Sequence, residues 1–149
     1  MISRDLPGSV LFACSLNAVR SPMAEGILKS LYGKRVYVDS VGVRGGDLDP
    51  FAAEVMREIG IDISRHRGKS FDELLDTSFD LVISLSPEAQ HKAVEMTRTM
   101  ACEVEYWPTL DATAYEGSRE ARLAAYRQVR DSLITRLKER FPAPLTPQV

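Results

Sequence analysis

Residues 9–25 read SVLFACSLNAVRSPMAE, and the first third of that stretch cannot fold in the same way as the last. Val10, Leu11, Phe12 and Ala13 form an apolar run too short for a helix and continuous enough for a strand buried on both faces. After Cys14, the small and polar residues Ser15, Asn17 and Ala18 mark a loop. Ser21-Pro22 then reads as a helix start, because proline at the first helical position gives up an N–H that would find no partner there.

A loop squeezed between a strand and a helix N-terminus gathers backbone N–H groups around one point, where the helix dipole adds positive potential. Such a nest holds a tetrahedral oxyanion. Here the cradle would run through Ser15, Leu16, Asn17, Ala18, Val19, Arg20 and Ser21. Cys14 would stand at its mouth, where the field favours the thiolate, the nucleophilic form of the side chain. Arg20 can return across the loop and grip two phosphate oxygens with a planar fork that lysine lacks. Ser21 can donate its hydroxyl to the thiolate. The plain alternative is a small buried cysteine followed by a surface arginine.

The order strand, Cys14, five residues, Arg20-Ser21-Pro22, helix resembles the low-molecular-weight protein tyrosine phosphatase family, whose loop follows Cys-x-Gly-Asn-x-Cys-Arg-Ser-Pro. The resemblance implies a phosphomonoester hydrolase in which Cys14 is the nucleophile and a phosphocysteine the intermediate. Its substrate would be a phosphotyrosine-containing protein or a small phosphomonoester, with inorganic phosphate as product and inhibitor. In that family an Asp-Pro pair before the last helix supplies the general acid. Trp107, Pro108, Thr109, Leu110, Asp111 and Ala112 hold that place here, which makes Asp111 the candidate, with Glu105 and Glu116 as weaker alternatives. His66 matches a histidine that braces the loop asparagine, here Asn17. Ser40-Val41-Gly42 matches a segment expected to support the loop and border the substrate.

Three positions depart from the pattern. Leu16 stands in place of the glycine, where a left-handed backbone would cost it about 1–2 kcal/mol. Val19 stands in place of a second cysteine, and Ala112 in place of the proline that would hold Asp111 extended. Two rival readings follow. Thioredoxin-coupled arsenate reductases share this fold and loop but resolve their adduct with further cysteines after the third strand; residues 86–101 contain none, and Cys102 opens an expected strand. A phosphate-reading binding module with a decayed site is the rival from another class, motivated by Leu16 and Ala112.

The chain has 149 residues, 44% hydrophobic and 27% charged, which suits one domain over 1–149, with a lead-in at 1–8 and a loose tail at 142–149. A net charge of -2 speaks against general nucleic-acid binding. Two cysteines are too few for a disulfide scaffold, no leader opens the sequence, and a reduced, cytoplasmic protein is expected. No apolar run approaches the roughly 20 residues that span a membrane. Gly68-Lys69-Ser70 ends like a nucleotide-binding loop, but Ile63 stands where its first glycine belongs. Neither His66 nor His91 has partners at zinc-site spacing, so no cofactor and no metal are expected.

Strands are predicted at 10–13, 36–40, 79–85 and 103–106, and helices at 22–32, 51–59, 87–96 and 118–141. Met23, Ile27, Leu28 and Leu31 should face inward from the first helix, and Val55 and Ile59 from the second, with Gly60 as its stop. Ala125, Val129, Leu133 and Leu137 make an inward stripe on the last. Arg65, His66, Arg67 and Lys69 form a basic cluster that either attracts phosphorylated ligands or is a solvated loop, the latter reading being preferred for the arginines. The alternation gives an α/β fold: a single domain built on a four-stranded parallel doubly wound sheet with helices on both faces, and the Cys14 loop at a strand's carboxyl end.

Overall fold

Among the described residues of the computed structural model, four strands and four α-helices alternate. They are β1 (Ser9–Cys14), α1 (Arg20–Tyr32), β2 (Tyr37–Gly42), α2 (Pro50–Arg57), β3 (Leu81–Ser84), α3 (Pro87–Met96), β4 (Glu103–Tyr106) and α4 (Arg119–Arg140). The structure describes residues 6–74 and 78–141, so the tail expected at 142–149 and most of the lead-in at 1–8 lie outside the described residues.

All strand pairs are parallel, in the order β2-β1-β3-β4. The chain winds outward from β1 to β2, then returns past β1 to β3, so the winding direction reverses between β1 and β3. The crevice at such a reversal, beyond the carboxyl ends of the strands, is where open α/β sheets bind ligands. Cys14 is the last residue of β1 and therefore sits there.

Alternation along β1 divides the core. Val10, Phe12 and Cys14 face the larger cluster, filled by α1, α2 and α4, while Leu11 and Ala13 face a smaller one with Ala89 and Ala93 of α3. A strand buried on both faces has no polar positions to spare, which is why its sequence is uniformly apolar. The stripe Ala125, Val129, Leu133, Leu137 is buried as its spacing predicts. Arg130 is buried beside it, donating to the Val55 carbonyl at 2.8 Å and pairing with Glu58, and so fastens α2 to α4.

Two inward expectations fail. Leu31 is 39% exposed: Tyr32, one turn beyond Leu28, takes the last inward place on α1 and donates its hydroxyl to the Phe141 carbonyl. Ile59 is 38% exposed because α2 ends at Arg57, and the chain turns outward to Gly60, whose φ of 79° ends the helix. The sequence reading also lacks two single turns of 3₁₀ helix, at Phe71–Glu73 and Ala112–Ala114.

Candidate active site

The loop between Cys14 and α1 is shaped from outside. The carbonyls of Cys14, Ser15, Leu16 and Ala18 accept from the N–H groups of Val43, Arg44, Gly46 and Asp49, at 3.0, 2.9, 2.8 and 3.0 Å. The glycine-rich segment after β2 thus runs as a ladder along the outer edge of the loop. Gly42 lets it approach, because a Cβ there would stand 2.7 Å from the Asn17 nitrogen. The segment opening with Ser40-Val41-Gly42 is expected from the resemblance to border the substrate; residues 43–49 hold the cradle from behind, and neither they nor Ser40, Val41 and Gly42 line the cleft. With its carbonyls drawn outward, the loop keeps its amides inside. No backbone N–H of residues 15–20 has an acceptor among the described residues. A concave set of unpaired N–H groups at a helix N-terminus is an anion site.

Asn17 turns the loop. It is the non-glycine residue with positive φ among the described residues, at 56°, a conformation asparagine tolerates better than most side chains. Leu16 therefore carries no left-handed strain, contrary to the cost expected from its place in the family pattern. Asn17 is fully buried and its amide is saturated. Oδ1 accepts from the Lys69 N–H and from His66 Nε2, both at 3.0 Å, and Nδ2 donates to Ser21 Oγ at 2.8 Å and Ser40 Oγ at 3.0 Å. A backbone N–H can only donate, so Lys69 fixes which amide atom is oxygen, and that oxygen fixes the proton of His66 on Nε2.

Behind Asn17 stands a carboxylate that sequence reasoning missed. Glu25, on the second turn of α1, accepts from Ser40 Oγ at 2.5 Å, pairs with Lys29, and lies 3.7 Å from His66 Nδ1. Its one signal is its place, a helical turn beyond Ser21 on the face that must meet the sheet. Burial holds the His66 imidazole below its ordinary value, and the Glu25 carboxylate opposes that without overcoming it. Arg65 and Arg67 are exposed as expected, while Lys69 pairs with Asp39 at 2.6 Å.

Cys14, Ser15, Leu16, Ala18, Val19, Arg20, Asp111 and Thr113 line one cleft of about 60 Å³. The structure thus brings Cys14, Arg20 and Asp111 together, from β1, α1 and the loop before α4. The side chains of Asn17 and Ser21 are fully buried and do not line it. Cys14 is 2% exposed, with Sγ 2.9 Å from Ser21 Oγ. Arg20 Nη1 donates to the Thr109 carbonyl at 3.0 Å, so the guanidinium is tied to the acid-bearing loop. Asp111 takes extended backbone, φ −89° and ψ 103°, and its Oδ1 accepts from both the N–H and the hydroxyl of Thr113, at 3.0 and 2.6 Å. Ala112 beneath it is 1% exposed and packed in the core. Of the alternative acids, Glu105 is taken up by Trp107 Nε1 and Arg140, while Glu116 does not line the cleft.

Two contacts close the remaining side. Ser15 Oγ donates to Ser86 Oγ, the N-cap of α3, at 3.1 Å. Arg44 and Glu88 meet bidentately at 3.1 and 3.2 Å, and Arg44, then Ser15, hold the Glu88 carboxyl below its usual range. Among the described residues no three metal-ligating side chains converge, and no helix is long and apolar enough to cross a membrane.

Residues 9–145 match the family described as low molecular weight phosphotyrosine protein phosphatase. The chain belongs to that family. A curated relative from Bacillus subtilis (strain 168), named arsenate reductase, is 35% identical over 130 residues, 87% of this chain and 92% of that one. The YwlE arginine phosphatase, also found in Bacillus subtilis and solved with a phosphorylated serine in place of its active-site cysteine, is 28% identical. It superposes with a TM-score of 0.71 over 88% of this chain and 91% of that one. The tyrosine phosphatase AmsI of Erwinia amylovora superposes with a TM-score of 0.74 over 95% of each chain, at 18% identity, a likeness of fold alone. The proteins that this chain resembles are thus named for different chemistries.

Proposed function

We propose that this protein is a cytoplasmic phosphomonoester hydrolase that works through a phosphocysteine, with phosphotyrosine in proteins as its substrate. The observation that carries this reading is the set of unpaired amides of residues 15–20 around Cys14, with Arg20 and Asp111 facing the same cleft. Fixed amide donors and a guanidinium beside the nucleophile are the kind of electrostatic preorganisation that phosphoryl transfer relies on, with three equatorial oxygens to hold.

Cys14 Sγ attacks phosphorus, the bond from phosphorus to the leaving oxygen breaks, and the Asp111 carboxyl gives that oxygen its proton. The resulting Asp111 carboxylate then takes a proton from water as the water oxygen attacks the phosphocysteine. The S–P bond breaks, and phosphate and the thiolate are restored. Arg20 and the amides hold the oxygens through both steps, and Ser21 donates to the thiolate as nucleophile and as leaving group. Because Cys14 is 2% exposed, phosphorus has to be presented on a long stem. A phenol provides one; the short stem of serine does not.

Two other readings are weighed by particular observations. Arsenate reductase, the name of several relatives, calls for a second thiol close to the first, and the sequence has only Cys102 besides Cys14. Phosphoarginine also presents phosphorus on a long planar stem, and the 28% identity to an arginine phosphatase favours it as the second reading. Phosphotyrosine, phosphoarginine and phosphoserine peptides, and arsenate with thioredoxin, should be offered to wild type and Cys14→Ser. Turnover of phosphotyrosine that Cys14→Ser abolishes is the expected result. Preference for phosphoarginine would move the substrate, thioredoxin-coupled arsenate reduction would overturn the reading, and binding without turnover by wild type would make this a phosphate-reading module.

A further inference from the structure

Proline after the acid is missing in this chain, and the structure contains something in its place. The loop carrying Asp111 is anchored at its base, where the N–H groups of Trp107 and Thr109 donate to the carbonyls of Ser84 and Leu85 at 2.8 and 3.1 Å, and Arg20 holds the Thr109 carbonyl. Farther out, Ala112 is buried, and Ala114 and Tyr115 close a single 3₁₀ turn onto the carbonyls of Asp111 and Ala112. The backbone is therefore set without a pyrrolidine ring. The carboxyl group itself still has a free torsion, and an acid must offer one particular oxygen to the leaving group.

Thr113 restricts that torsion. Both of its donors, N–H and Oγ1–H, converge on Asp111 Oδ1, and Thr113 lines the same cleft as Cys14 and Arg20. An oxygen that already accepts two hydrogen bonds is the poorer place for a proton, since a proton there would meet the Thr113 N–H, which can only donate, and would force the hydroxyl to give up its own bond and turn round to accept. The other oxygen, Oδ2, has no hydrogen-bond partner among the described residues. Turning the carboxyl by half a revolution would exchange the two oxygens, but only by breaking and remaking both bonds.

We propose that Thr113 is the positioning residue of the acid: it holds Asp111 Oδ1 and leaves Oδ2 as the oxygen that carries the proton to the leaving group and receives it from water. Thr113 itself touches no reacting atom. This rests on Asp111 being the general acid, as read above, and it assigns the proton to one oxygen and the constraint to one side chain that the motif does not contain.

The test uses aryl phosphates whose leaving groups differ in basicity. With a basic leaving group such as phenolate, protonation matters to the rate of phosphocysteine formation; with 2,4-dinitrophenolate it does not. Thr113→Val keeps the shape and deletes the hydroxyl, Thr113→Ser keeps the hydroxyl, and Ala112→Pro can be added to Thr113→Val. Expected for Thr113→Val is a kcat/KM lower by about tenfold on phenyl phosphate, a fraction of the ~10²–10⁴ that a positioned acid supplies, with no more than about a twofold change on 2,4-dinitrophenyl phosphate. Thr113→Ser should behave as wild type, and Ala112→Pro should return part of the loss. Equal losses on both substrates, or an unchanged dependence on leaving group, would overturn the role of Thr113 while leaving the phosphatase reading intact. A wild type that hydrolyses neither substrate and forms no phosphocysteine would take both down together.

Discussion

Ser21 Oγ lies 2.9 Å from Cys14 Sγ and also 3.3 Å from the Val41 carbonyl oxygen. Asn17 Nδ2 donates to the same hydroxyl oxygen, so the single Ser21 proton must go to one of those two acceptors. A thiolate outbids a neutral carbonyl, and a thiol does not. The hydroxyl can thus follow the charge on sulfur through the cycle without moving its oxygen.

Ser21→Ala should therefore act most strongly on breakdown of the phosphocysteine, where the thiolate is the leaving group. A hydrogen bond to a charged group is worth about 1.5–3 kcal/mol, which corresponds to a fall in kcat of about 10- to 100-fold. Rapid-quench measurement should find the phosphoenzyme accumulating in the variant. A loss confined to KM would show that Ser21 serves substrate binding alone.

Asn17 offers a separable pair of tests. Asn17→Gly keeps access to the left-handed backbone and loses four hydrogen bonds; Asn17→Ala loses both. The alanine variant should be destabilised by about 2–4 kcal/mol and the glycine variant by about 1 kcal/mol less, as read from urea unfolding. Leu16→Gly, which would relieve strain if Leu16 were the left-handed residue, should instead be neutral or destabilising by up to about 1 kcal/mol. Stabilisation by that change would contradict the φ assignment.

The difference between Leu16 and Asn17 marks the limit of what the sequence discloses. The strand, the loop and the helix start are written locally, in an apolar run, a polar break and Ser21-Pro22, and the structure has them within a residue or two. Which peptide of the loop turns left-handed depends on partners far along the chain: the ladder from residues 43–49, and Lys69 and His66 beyond. Glu25 and Thr113 went unread for the same reason. Each is an ordinary residue in its own segment, and each matters through what another segment brings to it. Leu31 loses its inward place to Tyr32, four residues beyond Leu28 on the same face of α1, and Ile59 lies past Arg57, where α2 ends.

His66 gives a pH prediction with a definite sign. Burial makes the folded protein hold this proton less readily than the unfolded chain, whose histidine titrates near 6.5. Below that value the unfolded state binds more protons, so stability is complete above about pH 6.5 and falls as pH drops toward the lower folded value. Glu25, Asp39 and Lys69 all act on the ring, Glu25 favouring the proton most. Urea unfolding between pH 7.5 and 5 should record the decline, His66→Gln should flatten it, and Glu25→Gln should steepen it. A slope unaffected by His66→Gln would assign the proton elsewhere.

The last prediction concerns oxidation of Cys14. Glu103 is level with Leu81 in the sheet and Leu81 with Val10, so Cys102 stands level with the start of β1 while Cys14 stands at its end. Five residues along the strand and two strand spacings across separate their Cα atoms by roughly 19 Å, against the limit of about 7 Å for a disulfide. Cys102 is also half-buried on the far side of the sheet, where burial pushes its thiol up and keeps it a poor nucleophile. With Val19 in the loop there is no nearer thiol to intercept a sulfenic acid before it is oxidised further. Peroxide should thus inactivate the enzyme with little recovery on adding a thiol reductant, and inorganic phosphate in the cradle should slow the loss. Peptide mass spectrometry should find sulfinic acid on Cys14. A Cys14 to Cys102 disulfide with full recovery would require β4 to leave the sheet, and would return thioredoxin-coupled reduction to consideration.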